Sequence, residues 1–225
     1  MIWITGDKHG EKKSFLQSPN YKKIKKNDTL IVCGDFGFFW NESPNELKNL
    51  KWLSKRKFKT IFVNGCNENQ QILEKYPLTN WNGGRARLIY ENVIQLVDGE
   101  FYIIENKKIL AYGGGFNKIT NTTNSNMEEF NKASVEYQLN NLIKNIKKAN
   151  REFDIIISHE APSSIALCLE EDKFHCTYIN NILEEIREHA SFKSWFFGKY
   201  HIDKLIPPRY YAMFNYILPF EKYTK

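Results

Sequence analysis

Five short segments, spread from one end of the chain to the other, place metal-binding residue types directly after runs with strand character. They read Gly6-Asp7-Lys8-His9-Gly10, Gly34-Asp35-Phe36-Gly37, Gly65-Cys66-Asn67-Glu68, Ser158-His159-Glu160-Ala161-Pro162 and Gly198-Lys199-Tyr200-His201. The runs ahead of them are Ile2-Trp3-Ile4-Thr5, Thr29-Leu30-Ile31-Val32, Thr60-Ile61-Phe62-Val63, Ile155-Ile156-Ile157 and Trp195-Phe196-Phe197. These are β-branched and aromatic residues, which suit a pleated surface. Strand, tight turn, then Asp or His is how an α/β fold brings ligands to the carboxyl edge of its sheet. One such segment is weak evidence, because Asp beside Gly is a common turn. Five in order point to a fold whose strand ends carry a metal-dependent site.

The stretches between these segments supply the connections. Strand 2–5 leads to a short helix near 11–17 and then to strand 29–33. Ser43-Pro44-Asn45-Glu46 is a helix start signal, with Ser at the cap and Pro in the first turn, so a helix is expected over 44–56. Strand 60–64 and a helix near 68–75 complete a βαβαβ rhythm, which implies parallel strands joined by right-handed crossovers. From 87 to 113 short strands broken at Asp98-Gly99 and Asn106-Lys107 predict an antiparallel meander. Gly113-Gly114-Gly115 reads as a sharp turn, and the polar loop 117–126 after it as a lid. A helix is predicted over 127–150 from Val135, Leu139, Leu142, Ile143 and Ile146 at helical spacing. Strand 154–158, a helix around 178–189, strand 194–197 and a final strand from 210 to 218 follow. With 225 residues, no internal repeat and no linker, one domain over 1–225 is the simpler reading.

Composition closes off several classes. No apolar run approaches the roughly 20 residues that span a bilayer, and Asp7 and Lys8 come too soon after Met1 for a signal-peptide core. A cytoplasmic location and no membrane partner are therefore expected. Cys33, Cys66, Cys168 and Cys176 form no close pair and read as free thiols. The net charge of +6 gathers at Lys22-Lys23-Ile24-Lys25-Lys26, Lys55-Arg56-Lys57-Phe58-Lys59 and Lys144 with Lys147-Lys148. No nucleic-acid motif accompanies these clusters, so they read as solvated faces, and nucleic acid as a partner has no support.

On its five segments the chain resembles the calcineurin-like metallophosphoesterase superfamily. It resembles most the compact bacterial members in which Gly-Asp-Phe-Gly leads to a Trp, as Gly34 to Trp40 does here. The resemblance spans nearly the whole chain. It implies an α/β fold of the metallophosphoesterase type, a four-layer α/β/β/α sandwich with two metals at the strand ends. It also implies hydrolysis of a phosphomonoester or phosphodiester by a metal-bound water. The chemistry accounts for the residue types, since two cations about 3.5–4 Å apart neutralise the phosphate charge and acidify a bridging water. Carboxylate and imidazole donors together suit Mn, Fe or Zn.

Carried over residue by residue, the resemblance gives Asp7, His9, Asp35 and His201 to the first metal, with Asp35 bridging to a second. At the second site His159 is in place, but Cys66 stands where the family has Asn, and Lys199 where it has His. Asn67 stands where the family has its catalytic His. An ammonium at Lys199 repels a cation and can offer its charge to a phosphate instead. Cys66 either ligates as a thiolate or is an inert small residue. Asn67 cannot protonate a leaving group, a contribution typically worth about 10²–10⁴-fold; alternatively a one-residue shift of the loop makes its amide the missing ligand. Glu68 is expected to cap the following helix and Asn117 to point toward the active site, while His175 and His189 lie outside every motif. The expectation is an attenuated phosphoesterase with one firmly bound divalent ion, the second left open. Its substrate would be a phosphorylated small molecule or nucleotide. The competing expectation is a non-catalytic binding module on the same fold.

Overall fold

In the computed structural model, residues 1–114, 139–170 and 175–223 are described. The expected lid at 117–126, Asn117, Val135 and the first half of the helix expected over 127–150 lie outside them.

Alternation along the strands sorts the chain into layers. In β1 (Ile2–Thr5) and β2 (Thr29–Val32), Ile2, Ile4 and Ile31 face one core while Trp3, Leu30 and Val32 face another. In β9 (Glu152–Ser158) and β10 (Ser191–Phe197), Ile155, Ile157 and Phe196 share the first core, while Ile156, Trp195 and Phe197 join a third. Successive side chains of a strand point to opposite faces, so a strand that is apolar at every position is covered on both sides. The central cluster is the interface of two sheets, and the outer clusters are where helices pack. Each fully buried Ile or Phe contributes about 1.5–3 kcal/mol of transfer free energy.

The first sheet runs β13-β1-β2-β3-β6-β5-β4, adding β3 (Lys59–Phe62), β4 (Leu78–Trp81), β5 (Gly84–Tyr90), β6 (Val93–Leu96) and β13 (Leu218–Pro219). The second runs β11-β12-β10-β9-β8-β7, adding β7 (Phe101–Ile104), β8 (Lys107–Tyr112), β11 (Lys204–Ile206) and β12 (Tyr210–Ala212). The strands that precede the five segments are paired in parallel, β1 with β2 and β2 with β3 in one sheet, β9 with β10 in the other. On the outer faces lie α1 (Lys12–Gln17) and α2 (Pro44–Ser54) over the first sheet. Over the second lie α4 (helical residues 139–148), α5 (Ser163–Glu170) and α6 (Tyr178–His189). This is the four-layer α/β/β/α arrangement. Among the described residues no helix is long and apolar enough to cross a membrane.

Helix α2 starts as the sequence predicts, with the Ser43 hydroxyl accepting from the Glu46 amide and Pro44 in the first turn. Elsewhere the chain departs from the expectation. Residues 87–113 are not one meander: β5 and β6 pair antiparallel in the first sheet, and β7 and β8 form a hairpin in the second. The turn at Asp98-Gly99 carries the chain between sheets, because Asp98 accepts from the Gly113 and Gly114 amides and pins that crossing. The single strand expected over 210–218 is divided, β12 pairing with β10 and β13 returning to β1. Asp203 sets the break by accepting from the amides of Phe214, Asn215 and Tyr216. The helix expected over 68–75 shortens to α3 (Gln70–Leu73).

Candidate metal centre

The carboxyl ends of β1, β2, β3, β9 and β10 meet at the seam between the sheets, so the first sheet supplies Asp7, His9, Asp35, Cys66 and Asn67. The second supplies His159, Lys199 and His201. The glycines of the segments serve the neighbouring strand. A Cβ on Gly34 would lie 2.3 Å from His159 Nδ1, on Gly65 2.2 Å from Asp35 Oδ1, and on Gly198 2.6 Å from Asp7 Oδ1. Each turn is bare so that a ligand from the next strand can pass over it. The turns are also strained: His9, Asp35, Lys199 and His201 all have positive φ, at 49°, 40°, 64° and 51°. A left-handed residue other than Gly costs about 1–3 kcal/mol, and such residues gather at functional sites.

Asp7, His9 and His201 bring one ligand atom each to within 4.8 Å of one another, and so do Asp7, Asp35 and His159. His9 Nε2 lies 3.2 Å from His201 Nε2, and His201 Nε2 lies 3.3 Å from Asp7 Oδ2. Two imidazole nitrogens so close must share one proton or one cation. On the other side, His159 Nδ1 is 3.4 Å from Asp7 Oδ1 and His159 Nε2 is 3.5 Å from Asp35 Oδ1. The resemblance gave the shared position to Asp35; here Asp7 belongs to both groups. Burial by itself pushes the His159 imidazole down, but Asp7, Cys66 and Asp35 outweigh it and hold it well above its ordinary value. The two buried carboxylates thus favour a cationic partner at the centre.

The three departures from the family pattern take definite places. The Asn67 backbone amide donates to Asp35 Oδ1 at 3.0 Å, and its side-chain amide to Asp35 Oδ2 at 2.6 Å. Asn67 therefore orients the Asp35 carboxylate. Cys66 lies beside His159 but joins neither ligand group. The Lys199 ammonium is 2.7 Å from Glu160 Oε1, its sole ion pair among the described residues, while its backbone N–H donates to Asp7 Oδ1 at 3.2 Å. Glu160 is buried and also accepts from the Thr177 hydroxyl.

Sequence reasoning missed Glu160. Its signal was present, an acid directly after the ligand His159 at a strand end, but nothing in the sequence tied it to Lys199. Glu68 does not cap α3, whose cap is the Asn69 side chain. Instead the buried Glu68 carboxylate accepts from the amides of Gly37 and Gly65, joining two ligand turns. Burial and then Asp35 raise its pKa to about 7. Among the described residues His189 groups only with exposed Glu185 and Glu188 on its own helix, and His175 joins no group.

The donors suit a divalent cation. Asp7 Oδ2 and His159 Nε2 are buried without a hydrogen-bond partner of good geometry, and a buried polar atom left so costs about 1–3 kcal/mol. Carboxylate oxygens and imidazole nitrogens are the donor types that Mn, Fe and Zn accept. A cleft of about 400 Å³ opens beside the centre, and His9, Gly10, Gly37, Trp40, Asn41 and Asn67 are among the residues that line it. No curated protein gives a significant match to this chain. The sequence model of the calcineurin-like phosphoesterases matches residues 1–205, and the chain belongs to that family.

Proposed function

We propose that this protein is a metal-dependent phosphoesterase, attenuated relative to the family pattern. In this reading Asp7, His9 and His201 hold one divalent cation firmly, with Asp35 and His159 beside it. It cleaves a phosphomonoester or phosphodiester of a small molecule or nucleotide. The observation that carries the reading is the convergence of Asp7, His9 and His201, where a buried Asp7 carboxylate oxygen has no hydrogen-bond partner of good geometry among the described residues. A bound divalent cation supplies Lewis acidity, neutralising phosphoryl charge and acidifying water.

The chain's own residues do the rest. Asn67 fixes Asp35 through both carboxylate oxygens. It has no titrating proton to give, so a leaving group must depart as its anion. Lys199, neutralised by Glu160, occupies the position of a metal ligand without donating a lone pair.

Two measurements test the reading. His201→Ala should lower the metal content of the purified protein while the circular dichroism spectrum is kept; unchanged stoichiometry removes the assignment. Aryl phosphate esters such as the p-nitrophenyl ester should be cleaved at least about 10²-fold faster than alkyl ones, the size of a missing general acid. Equal rates would mean that another group supplies the proton. The Lys199–Glu160 pair and Asn67 also favour a second reading, a binding module that keeps the fold. A protein that holds its ion yet leaves aryl esters intact would establish it.

A further inference from the structure

We propose that Trp40 forms the floor of a subsite for an aromatic group carried by the phosphoester, a nucleobase in the simplest case. The proposal rests on the phosphoesterase reading and names the substrate class of the same site.

The run Phe36-Gly37-Phe38-Phe39-Trp40 is divided by burial. Phe36, Phe38 and Phe39 are at most 1% exposed and pack in the outer core, where Phe36 stacks on Phe62 at 4.2 Å. Trp40 is 52% exposed. Its indole N–H has no hydrogen-bond partner and its ring no aromatic neighbour among the described residues. A single exposed ring is ordinary on a protein surface, so the argument turns on where this ring sits and on what holds it there.

The backbone beneath it is tied on both sides. The buried Glu46 carboxylate accepts from the amides of Trp40 and Asn41 at 2.9 and 3.1 Å, and the Trp40 carbonyl accepts from Asn69 at 3.2 Å. A ring presented on a pinned loop loses little freedom when something stacks on it, which is what makes an aromatic anchor effective.

Trp40 lines the same cleft as His9 and Asn67. Gly10 and Gly37 line it too, and their turns meet so closely that a Cβ on Gly10 would lie 2.2 Å from the Gly37 carbonyl oxygen. Among the described residues no lysine or arginine lines the cleft, and Glu11 and Glu46 add negative charge. Nothing there would hold a second phosphate or a polyanionic backbone. Beside these carboxylates the described walls offer one aromatic ring and the polar side chains of Asn41, Ser43 and Asn45. Stacking plus amide hydrogen bonds is the way a single base is held. The chemistry therefore fits a mononucleotide-like ester rather than a polyphosphate or a nucleic-acid strand.

The test is calorimetric titration of the full chain, supplemented with manganese, with adenosine 5′-monophosphate and with glycerol 3-phosphate. Phosphate release from each is followed in parallel. The native protein should bind the nucleotide about tenfold tighter. Trp40→Ala should bring the ratio of the two affinities close to one, and Trp40→Phe should retain most of it. A ratio near one in the native protein, a ratio untouched by Trp40→Ala, or no nucleotide binding would overturn the proposal. Trp40-dependent nucleotide binding by a protein that also leaves p-nitrophenyl phosphate intact would instead leave the subsite standing and sink the phosphoesterase reading.

Discussion

Lys199 shows how one side chain can redirect a site without dismantling it. Its backbone still serves the centre by donating to Asp7, while its ammonium turns onto Glu160. The side chain of Lys199 is 31% exposed and that of Glu160 6%, so the pair lies between a surface ion pair and a buried one. Replacing Lys199 by Met strands the Glu160 carboxylate. The expected loss is about 2 kcal/mol, between the values for exposed and buried pairs, and a denaturant midpoint measures it. Lys199→His should also raise the metal content above that of the parent, since a lone pair replaces a like charge. A metal content equal to the parent's would mean that the missing ligand is not what limits the second ion. Single residues were the most legible part of the sequence: Asp7, His9, Asp35, His159 and His201 come together from four strand ends. Glu160 was not legible, because its partner lies on another strand of the sheet and ion pairs across strands leave no periodic trace.

At the level of elements, the turns are built for their neighbours. Gly34 has φ +80° and abuts His159, so Gly34→Ala adds left-handed strain and drives a methyl group into the ring. Metal affinity should fall by at least about tenfold, as it does when a ligand's support is removed, and equilibrium dialysis against zinc reads this directly. Retained affinity would mean that His159 does not depend on that turn.

The start of β2 carries a different device. Burial raises the Asp28 carboxyl, but the Lys25 amide, the Trp3 indole and the N-terminal ammonium outweigh it and hold it below its ordinary 3.8. A carboxyl depressed on folding stabilises fully above its unfolded value and loses that contribution as pH falls through the folded one. The melting-temperature gap between the native protein and Asp28→Asn should therefore be complete at pH 6 and close below about pH 3.8. A gap independent of pH would show that the charge is not what matters. Strands with a side chain in each core were readable from their composition. The passage from β6 to β7 was not, because a turn that changes sheets looks, in sequence, like one that reverses within a sheet.

For the whole molecule, the centre is a joint between two sheets. An ion held by residues from both binds the docked arrangement and not the unfolded chain, so it adds stability by mass action. At a concentration about 100 times its dissociation constant the gain is ~2.7 kcal/mol, or about 5–10 °C in melting temperature for a chain of this size. Scanning calorimetry with and without chelator measures it; coincident traces would mean that the ion binds without bracing the sheets.

The distance along the chain between the two outer imidazoles has a further consequence, one of timing. His9 and His201 are 192 residues apart. At about 5–20 residues per second, His9 leaves the ribosome roughly 10–40 s before His201 is made. For most of that interval the nascent chain presents only Asp7, His9 and Asp35, and the group that needs His201 stays incomplete to its end. Loading therefore falls at the end of biosynthesis, and the cation the protein receives is set by the pool it meets once the last strands have docked.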